Sequence, residues 1–133
     1  MTSQREDSMR LAEFWAKVSE EHDTDKFQTA LHQDFVMWYN FDPIERTRAE
    51  FIQTLKDAHA MFFDQKNEDV RITLTDEGFV LQATMTGILA GEPISSPYCF
   101  VAKVQDGLVI RGEEYFDTAQ LTKKAGRPGE GMI

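Results

Sequence analysis

An acid stands in the apolar phase of a strand-like segment near the C-terminus. Gly107-Leu-Val-Ile-Arg-Gly-Glu-Glu-Tyr-Phe-Asp117 follows the turn pair Asp106-Gly107. Side chains on a strand alternate between two faces. One face carries Leu108, Ile110, Gly112, Glu114 and Phe116, and the other Val109, Arg111, Glu113, Tyr115 and Asp117. A carboxylate directed into a core or cavity is costly unless it is paired, protonated or used. Glu114 is therefore either salt-bridged to an arginine, placed at an exposed rim, or a general acid/base whose pKa burial raises towards neutrality.

Other side chains could work with it. His59 shares a helical face with Phe51, Leu55, Ala58 and Phe62. A lone histidine there is a hydrogen-bonded core residue or a ligand contact, and paired with Glu114 it could shuttle a proton. Tyr98 alternates in phase with Ser96 and Phe100. Tyr98 and Asn40 could donate to a substrate oxygen as charge develops on it. Around Trp38 and Asn40 a one-residue shift in register exchanges them for Met37 and Tyr39. The reading adopted puts Trp38 and Asn40 inward. Asp42, before Pro43, is a base at a pocket mouth or the cap of a turn. Phe62 and Phe116 are candidate lining. Tyr115 and Asp117, opposite Glu114, read as structural or interfacial.

No His, Asp or Glu cluster has metal-ligand spacing, and the sequence has no glycine-rich phosphate loop and no nucleophile elbow. The chemistry expected is thus free of metal and cofactor.

The elements that must position these residues follow from periodicity. Ser3-x-x-Glu6 and Thr47-x-x-Glu50 fit the capping box, which satisfies orphan amides at a helix start. The first opens a helix to about Ser19, with Leu11, Phe14, Trp15 and Val18 as its apolar stripe. A short second helix is expected from Thr24 to His32. Asp34 to Phe41, rich in aromatic and β-branched residues, reads as a strand ended by Asp42-Pro43. The second box opens a helix from about Arg48 to Phe63. The period then changes to 2: strands are expected around Val70–Leu74, over Phe79–Ala90, over Ile94–Gln105 and over the opening segment, with turn signals at Asp76-Glu-Gly78 and Asp106-Gly107. Helices gathered before an antiparallel meander indicate an α+β domain. Residues 1–121 form that single domain, and the tail 122–133 reads as mobile.

Bulk properties bound the function. The chain has 133 residues, 41% hydrophobic and 28% charged, enough for one globular domain with a core. A net charge of −9 disfavours nucleic acid and anionic membranes. The single cysteine, Cys99, rules out an intrachain disulfide. With no apolar run of membrane-spanning length and no signal-peptide pattern at the start, a cytoplasmic location is expected.

The order of elements resembles the nuclear-transport-factor-2-like (NTF2-like) superfamily, which includes ketosteroid isomerases, limonene-epoxide hydrolases and SnoaL-type polyketide cyclases. The resemblance covers nearly all of residues 5–121. Its most specific pieces are Met37-Trp-Tyr-Asn-Phe-Asp-Pro43 and Asp106-Gly-Leu-Val-Ile-Arg-Gly-Glu-Glu-Tyr-Phe-Asp-Thr-Ala-Gln120. It implies a cone-shaped fold, with three N-terminal helices packed on a strongly curved, mostly antiparallel sheet around a pocket. It puts Glu114 where the epoxide hydrolase keeps its acid on the last strand. That enzyme's Arg and Asp, two residues apart, fall on Thr84 and Thr86, so its activating pair is missing here. Asp42-Pro43 resembles the Asp-Pro pair of ketosteroid isomerases.

The resemblance also turns Thr84, Thr86 and Ile88 towards the pocket, whereas Phe79, Leu81, Ala83 and Met85 form the more apolar face of the same strand. A second buried face, covered by another copy in a homodimer, would reconcile the two. The expected activity is proton transfer on an apolar, oxygen-bearing small molecule. The alternative is a non-catalytic ligand-binding or dimeric scaffold domain.

Overall fold

Residues 3–119 are described by the structure, a computed structural model. The tail expected to be mobile lies outside them. Helix α1 (Gln4–Glu21) is followed by a short 3-10 helix (Thr24–Thr29), then β1 (Leu31–Tyr39), β2 (Asp42–Thr47), helix α2 (Arg48–His59), β3 (Phe62–Leu74), β4 (Gly78–Leu89), β5 (Glu92–Gln105) and β6 (Leu108–Phe116). The six strands form one sheet in the order β2-β1-β6-β5-β4-β3. Only the β1–β6 pair is parallel. The domain is therefore α+β, as expected.

Both capping boxes form. Ser3 Oγ accepts from the Glu6 amide at 3.1 Å and Thr47 Oγ1 from the Glu50 amide at 3.3 Å, while each glutamate accepts from the cap's own amide. The apolar stripe of α1 buries Leu11, Trp15 and Val18. Helix α1 packs on β3 and β4, and α2 on β1. Trp15 is the centre of the core. It stacks on Phe100 (4.2 Å between rings, 14°) and on Phe51 (6.0 Å, 19°), and meets Phe27 edge-on at 5.0 Å.

Several boundaries differ from the expectation, each for a physical reason. The expected second helix is one 3-10 helix that ends at Thr29, because Leu31 and His32 already belong to β1. The three expected N-terminal helices are thus two α-helices and a 3-10 helix, with α2 arriving after two strands. Helix α2 stops at His59 rather than Phe63: Phe62 and Phe63 pair across to Leu89 and Ile88, so strand pairing overrides the helical spacing of Phe62. The strand before Asp42-Pro43 does end, at Tyr39, and Asp42-Pro43 itself opens β2. Strand β2 is an edge strand on β1, where a proline costs no ladder bond needed by a second neighbour.

Strand β3 begins eight residues before Val70. Its alternation was hidden by two bulges, between Phe63 and Lys66 and between Glu68 and Arg71. Asp64 and Asp69, both at φ 54°, supply the left-handed residues of these irregularities. Aspartate tolerates that conformation better than most side chains.

Candidate active site

The inner face of the sheet is fixed by register. Glu114 on β6 lies opposite Phe100 on β5, which lies opposite Leu81 on β4. Tyr98 faces Ala83 on one side and Phe116 on the other. In the parallel pair, Glu114 is the partner of Tyr39. The inner face therefore carries Glu114, Tyr98, Tyr39 and Met85. Together with Trp15 and Ser19 of α1, Phe27, Phe51, Leu55 and His59 of α2, and Gln65 of β3, these residues line one cleft. Its empty space is about 490 Å3 counting the mouth, but the part that admits a water molecule is about 40 Å3.

Glu114 is mostly covered, with its side chain at the wall of the cleft. Burial raises its pKa from the ordinary 4.5 to about 8. Among the described residues its carboxyl makes no hydrogen bond and no ion pair. The two arginines that could have neutralised it are engaged elsewhere. Arg46 pairs with Asp42 at 2.6 Å, and Arg111 with Glu45 at 2.6 Å and Glu113 at 3.0 Å. An enclosed acid with no partner and a pKa near neutrality can donate or accept a proton at ordinary pH.

His59 is on the same cleft. Its ring stacks on His22 at 3.8 Å with an interplanar angle of 1°. Burial, then the neighbouring His22, lowers the His59 pKa from 6.5 to about 4, so the imidazole is neutral. His22, the left-handed C-cap of α1, shares a 2.6 Å hydrogen bond between Nε2 and Gln65 Oε1. No hydrogen bond or ion pair joins His59 to Glu114, so the direct pair considered from sequence does not form.

Tyr98 lines the cleft as expected, but its hydroxyl bonds Asn67 Oδ1 at 2.8 Å. Tyr39, not Trp38, occupies the β1 wall. Its hydroxyl is buried with no hydrogen-bond partner among the described residues, and Arg46 sits over its ring at 5.0 Å. Burial first, then the Glu114 charge, holds the Tyr39 pKa well above its usual value.

The remaining expectations are corrected by geometry. Trp38 lies on the outer face, its ring 5.3 Å from that of Tyr115. Asn40 is exposed just past the end of β1. It clamps the β6 backbone, donating to the Phe116 carbonyl at 3.1 Å and accepting from the Phe116 amide at 3.0 Å. Thr84 and Thr86 pair with Pro97 and Ser95, out of phase with Tyr98, and so face outward. The apolar face of β4, with Phe79, Leu81, Ala83 and Met85, is the inner one, and α1 covers it. It gives no ground for a second buried face. Asp42 is outside the cleft lining, held by Arg46. Phe62 and Phe116 are buried behind the lining rather than in it.

Sequence reasoning missed Tyr39, Gln65, Trp15 and Met85 as lining. A signal for Tyr39 was present: Phe35, Met37 and Tyr39 form one unbroken apolar phase, all buried. Gln65 had no such signal, because it lies within the bulge between Phe63 and Lys66.

Among the described residues no group of three or more His, Cys, Asp or Glu could hold a metal ion, and no helix is long and apolar enough to cross a membrane.

The helix-backed six-stranded sheet is the fold of the nuclear-transport-factor-2-like superfamily. Within it, the chain belongs to the SnoaL-like domain family, which matches residues 11–112. The matched segment stops two residues before Glu114.

Solved structures similar in fold include a candidate polyketide cyclase from Xanthomonas campestris pv. campestris, with 20% identity over 92% of this chain and 98% of that one and a TM-score of 0.80. A candidate isomerase from Bacillus subtilis is 15% identical over 94% and 96% of the two chains, with a TM-score of 0.81. An epoxide hydrolase of the limonene-epoxide-hydrolase type from M. tuberculosis is 22% identical over 92% and 91%, with a TM-score of 0.74. Identities this low carry the fold and not the activity. No curated protein sequence matches the chain.

Proposed function

We propose that this protein is a cofactor-independent enzyme that moves protons on a small, apolar, oxygen-bearing molecule. The observation that carries this reading is the unpartnered Glu114 carboxyl at the cleft wall, with its pKa raised to about 8. Near neutral pH the carboxyl is mostly protonated. It then acts first as a general acid towards a carbonyl, hydroxyl or epoxide oxygen, and as a base once that proton is given up. Tyr39 adds a second donor to the same oxygen. His59, neutral and with no bond to Glu114, positions the ligand rather than relaying the proton.

The similar structures described as a cyclase, an isomerase and an epoxide hydrolase support the coarse class. Epoxide opening with a second inward acid is disfavoured, because Thr84 and Thr86 occupy that pair's positions and face away.

The test is α-proton exchange of small enolisable ketones and enones in D2O, followed by NMR. The wild type is expected to exceed buffer, and Glu114→Gln to lose on the order of a hundredfold or more of that rate. Ligands that bind both forms equally and are never exchanged point instead to a non-catalytic binding domain.

A second copy of the chain is the partner proposed for the outer face, where the rings of Trp38 and half-exposed Tyr115 meet at 5.3 Å, tilted by 59°. Sedimentation of Tyr115→Lys tests it, with an unchanged mass counting against it.

A further inference from the structure

The direction of the Tyr98 hydroxyl is set by its neighbour. Asn67 Nδ2 donates to the Ala16 carbonyl at 2.8 Å and to Ser19 Oγ at 2.7 Å, so both amide protons are committed. Ser19 Oγ is free to accept because its own proton goes to the Trp15 carbonyl at 3.0 Å. A flipped amide would set oxygen against the Ala16 carbonyl oxygen. Oδ1 therefore faces Tyr98, and since an amide oxygen only accepts, Tyr98 must donate across the 2.8 Å contact. What Tyr98 offers the cleft it lines is its lone pairs. This reverses the donor role that residue type alone suggests.

The next two strands of the same face have the opposite polarity. Tyr39 carries a hydroxyl proton with no acceptor, and Glu114 stands beside it as its partner on β6. Tyr98 pairs with Phe116, which makes Glu114 its diagonal neighbour on the same face. The backbones of diagonal positions on adjacent strands lie about 7–8 Å apart, so a small ring lying on this face can touch both side chains. Trp15, Phe27, Phe51 and Met85 supply apolar walls between them.

Resting on the reading of this cleft as a ligand site, we infer that Tyr98 is a specificity-determining acceptor. The cleft takes cyclic oxygenated molecules that carry a hydroxyl as well as a carbonyl. The hydroxyl donates to Tyr98 Oη while the carbonyl faces Glu114 and Tyr39. A molecule with a carbonyl alone leaves the lone pairs of Tyr98 desolvated and unmatched.

The test uses the full chain and three probes: acetophenone, para-hydroxyacetophenone and para-methoxyacetophenone. Dissociation constants are measured by NMR titration for wild type, Tyr98→Phe and Glu114→Gln. Wild type is expected to bind the hydroxylated probe roughly three- to tenfold more tightly than acetophenone, the worth of one neutral hydrogen bond. The methoxy probe, which cannot donate, should gain nothing. Tyr98→Phe should lose the preference by binding acetophenone more tightly than wild type does, because no lone pair is then left unmatched, which a purely structural role would not produce. Equal binding of the first two probes by wild type overturns the inference. So does a preference that survives Tyr98→Phe, or a wild type that binds no probe. Glu114→Gln separates the two readings. Weaker binding of all probes with the hydroxyl preference kept supports both. Unchanged binding with the preference kept removes the role of Glu114 and leaves that of Tyr98.

Discussion

Tyr39 and Glu114 are partners on the parallel strands β1 and β6, and both side chains face the same cleft. Parallel strands are uncommon in this sheet, and this pair is what brings residues seventy-five positions apart in the chain to one wall. The Glu114 charge raises the Tyr39 pKa, while burial raises both groups. Near neutral pH both therefore hold their protons, and two O–H donors stand side by side.

Tyr39→Phe should separate stability from function. The hydroxyl is buried and unpartnered among the described residues, so removing it leaves nothing unmatched. Urea unfolding should show unchanged stability, or a gain of about 1 kcal/mol. Proton exchange on a ketone should nevertheless fall by roughly tenfold or more. A clear loss of stability would mean the hydroxyl has a partner in the folded protein.

Two groups with large shifts pull the pH dependence of stability in opposite directions. Glu114 titrates at about 8 folded against 4.5 ordinarily, so the folded state binds the extra proton between those values. Its contribution is present below about pH 4.5 and is lost as pH rises to about 8. His59 titrates at about 4 against 6.5, so the unfolded state binds the extra proton, and stability rises with pH across that window. The two slopes oppose one another between pH 4.5 and 6.5. From 6.5 to 8 only the fall from Glu114 remains. Denaturation midpoints measured from pH 4 to 9 should show a plateau followed by a decline. In Glu114→Gln the decline should vanish. A decline that persists in that variant assigns it to another group.

Asp42→Asn should leave the turnover of the folded protein within about twofold, because Asp42 lies outside the cleft. It should lower stability by about 1–3 kcal/mol. The variant loses the charge-assisted bond to Arg46, whose Nη1 is already buried without a partner. A large loss of turnover at unchanged stability would return Asp42 to the chemistry.

Gly112→Ala tests the cleft wall from behind. A Cβ there would come within 2.6 Å of Phe100 Cε1 and 2.8 Å of Met37 Sδ. Phe100 stacks on Trp15, which leaves it little room to yield. Overpacking of this kind costs about 1–3 kcal/mol, readable as a lower urea midpoint. It should also weaken ligand binding through the displaced Trp15 ring.

Much of the fold was legible because the strongest signals were local. Both capping boxes, the Leu11-Trp15-Val18 stripe and the period-2 segments from Phe79 onward fixed one helix start each, one buried face and three strands. Glu114 was noticed from its own strand, although the phase was partly wrong: a bulge between Val109 and Arg111 buries Val109 and leaves Leu108 and Ile110, expected on the Glu114 face, only partly buried. What failed depended on partners far away in sequence. The parity of Trp38 and Tyr39 is decided by pairing with Glu113 and Glu114. The end of α2 is decided by Leu89 and Ile88. The role of Tyr98 is decided by Asn67 and, behind it, by Ala16 and Ser19. Residue type alone indicated a free donor; the network commits that proton to Asn67.

The bulges of β3 make its length less rigid than its pairing. Phe63 to Lys66 spans one residue more than Ile88 to Thr86 opposite, and Glu68 to Arg71 one more than Thr84 to Gln82. Each bulge absorbs a surplus residue, so Gln65 and Asn67 keep facing inward and Lys66 and Glu68 outward. Shortening the chain by one residue at Asp64 or Asp69 would therefore preserve the inward set. The same deletion between Gln65 and Glu68 would turn a charged side chain into the cleft region in place of an amide. The two aspartates are the points at which this strand can change length over evolutionary time without rewriting its pocket.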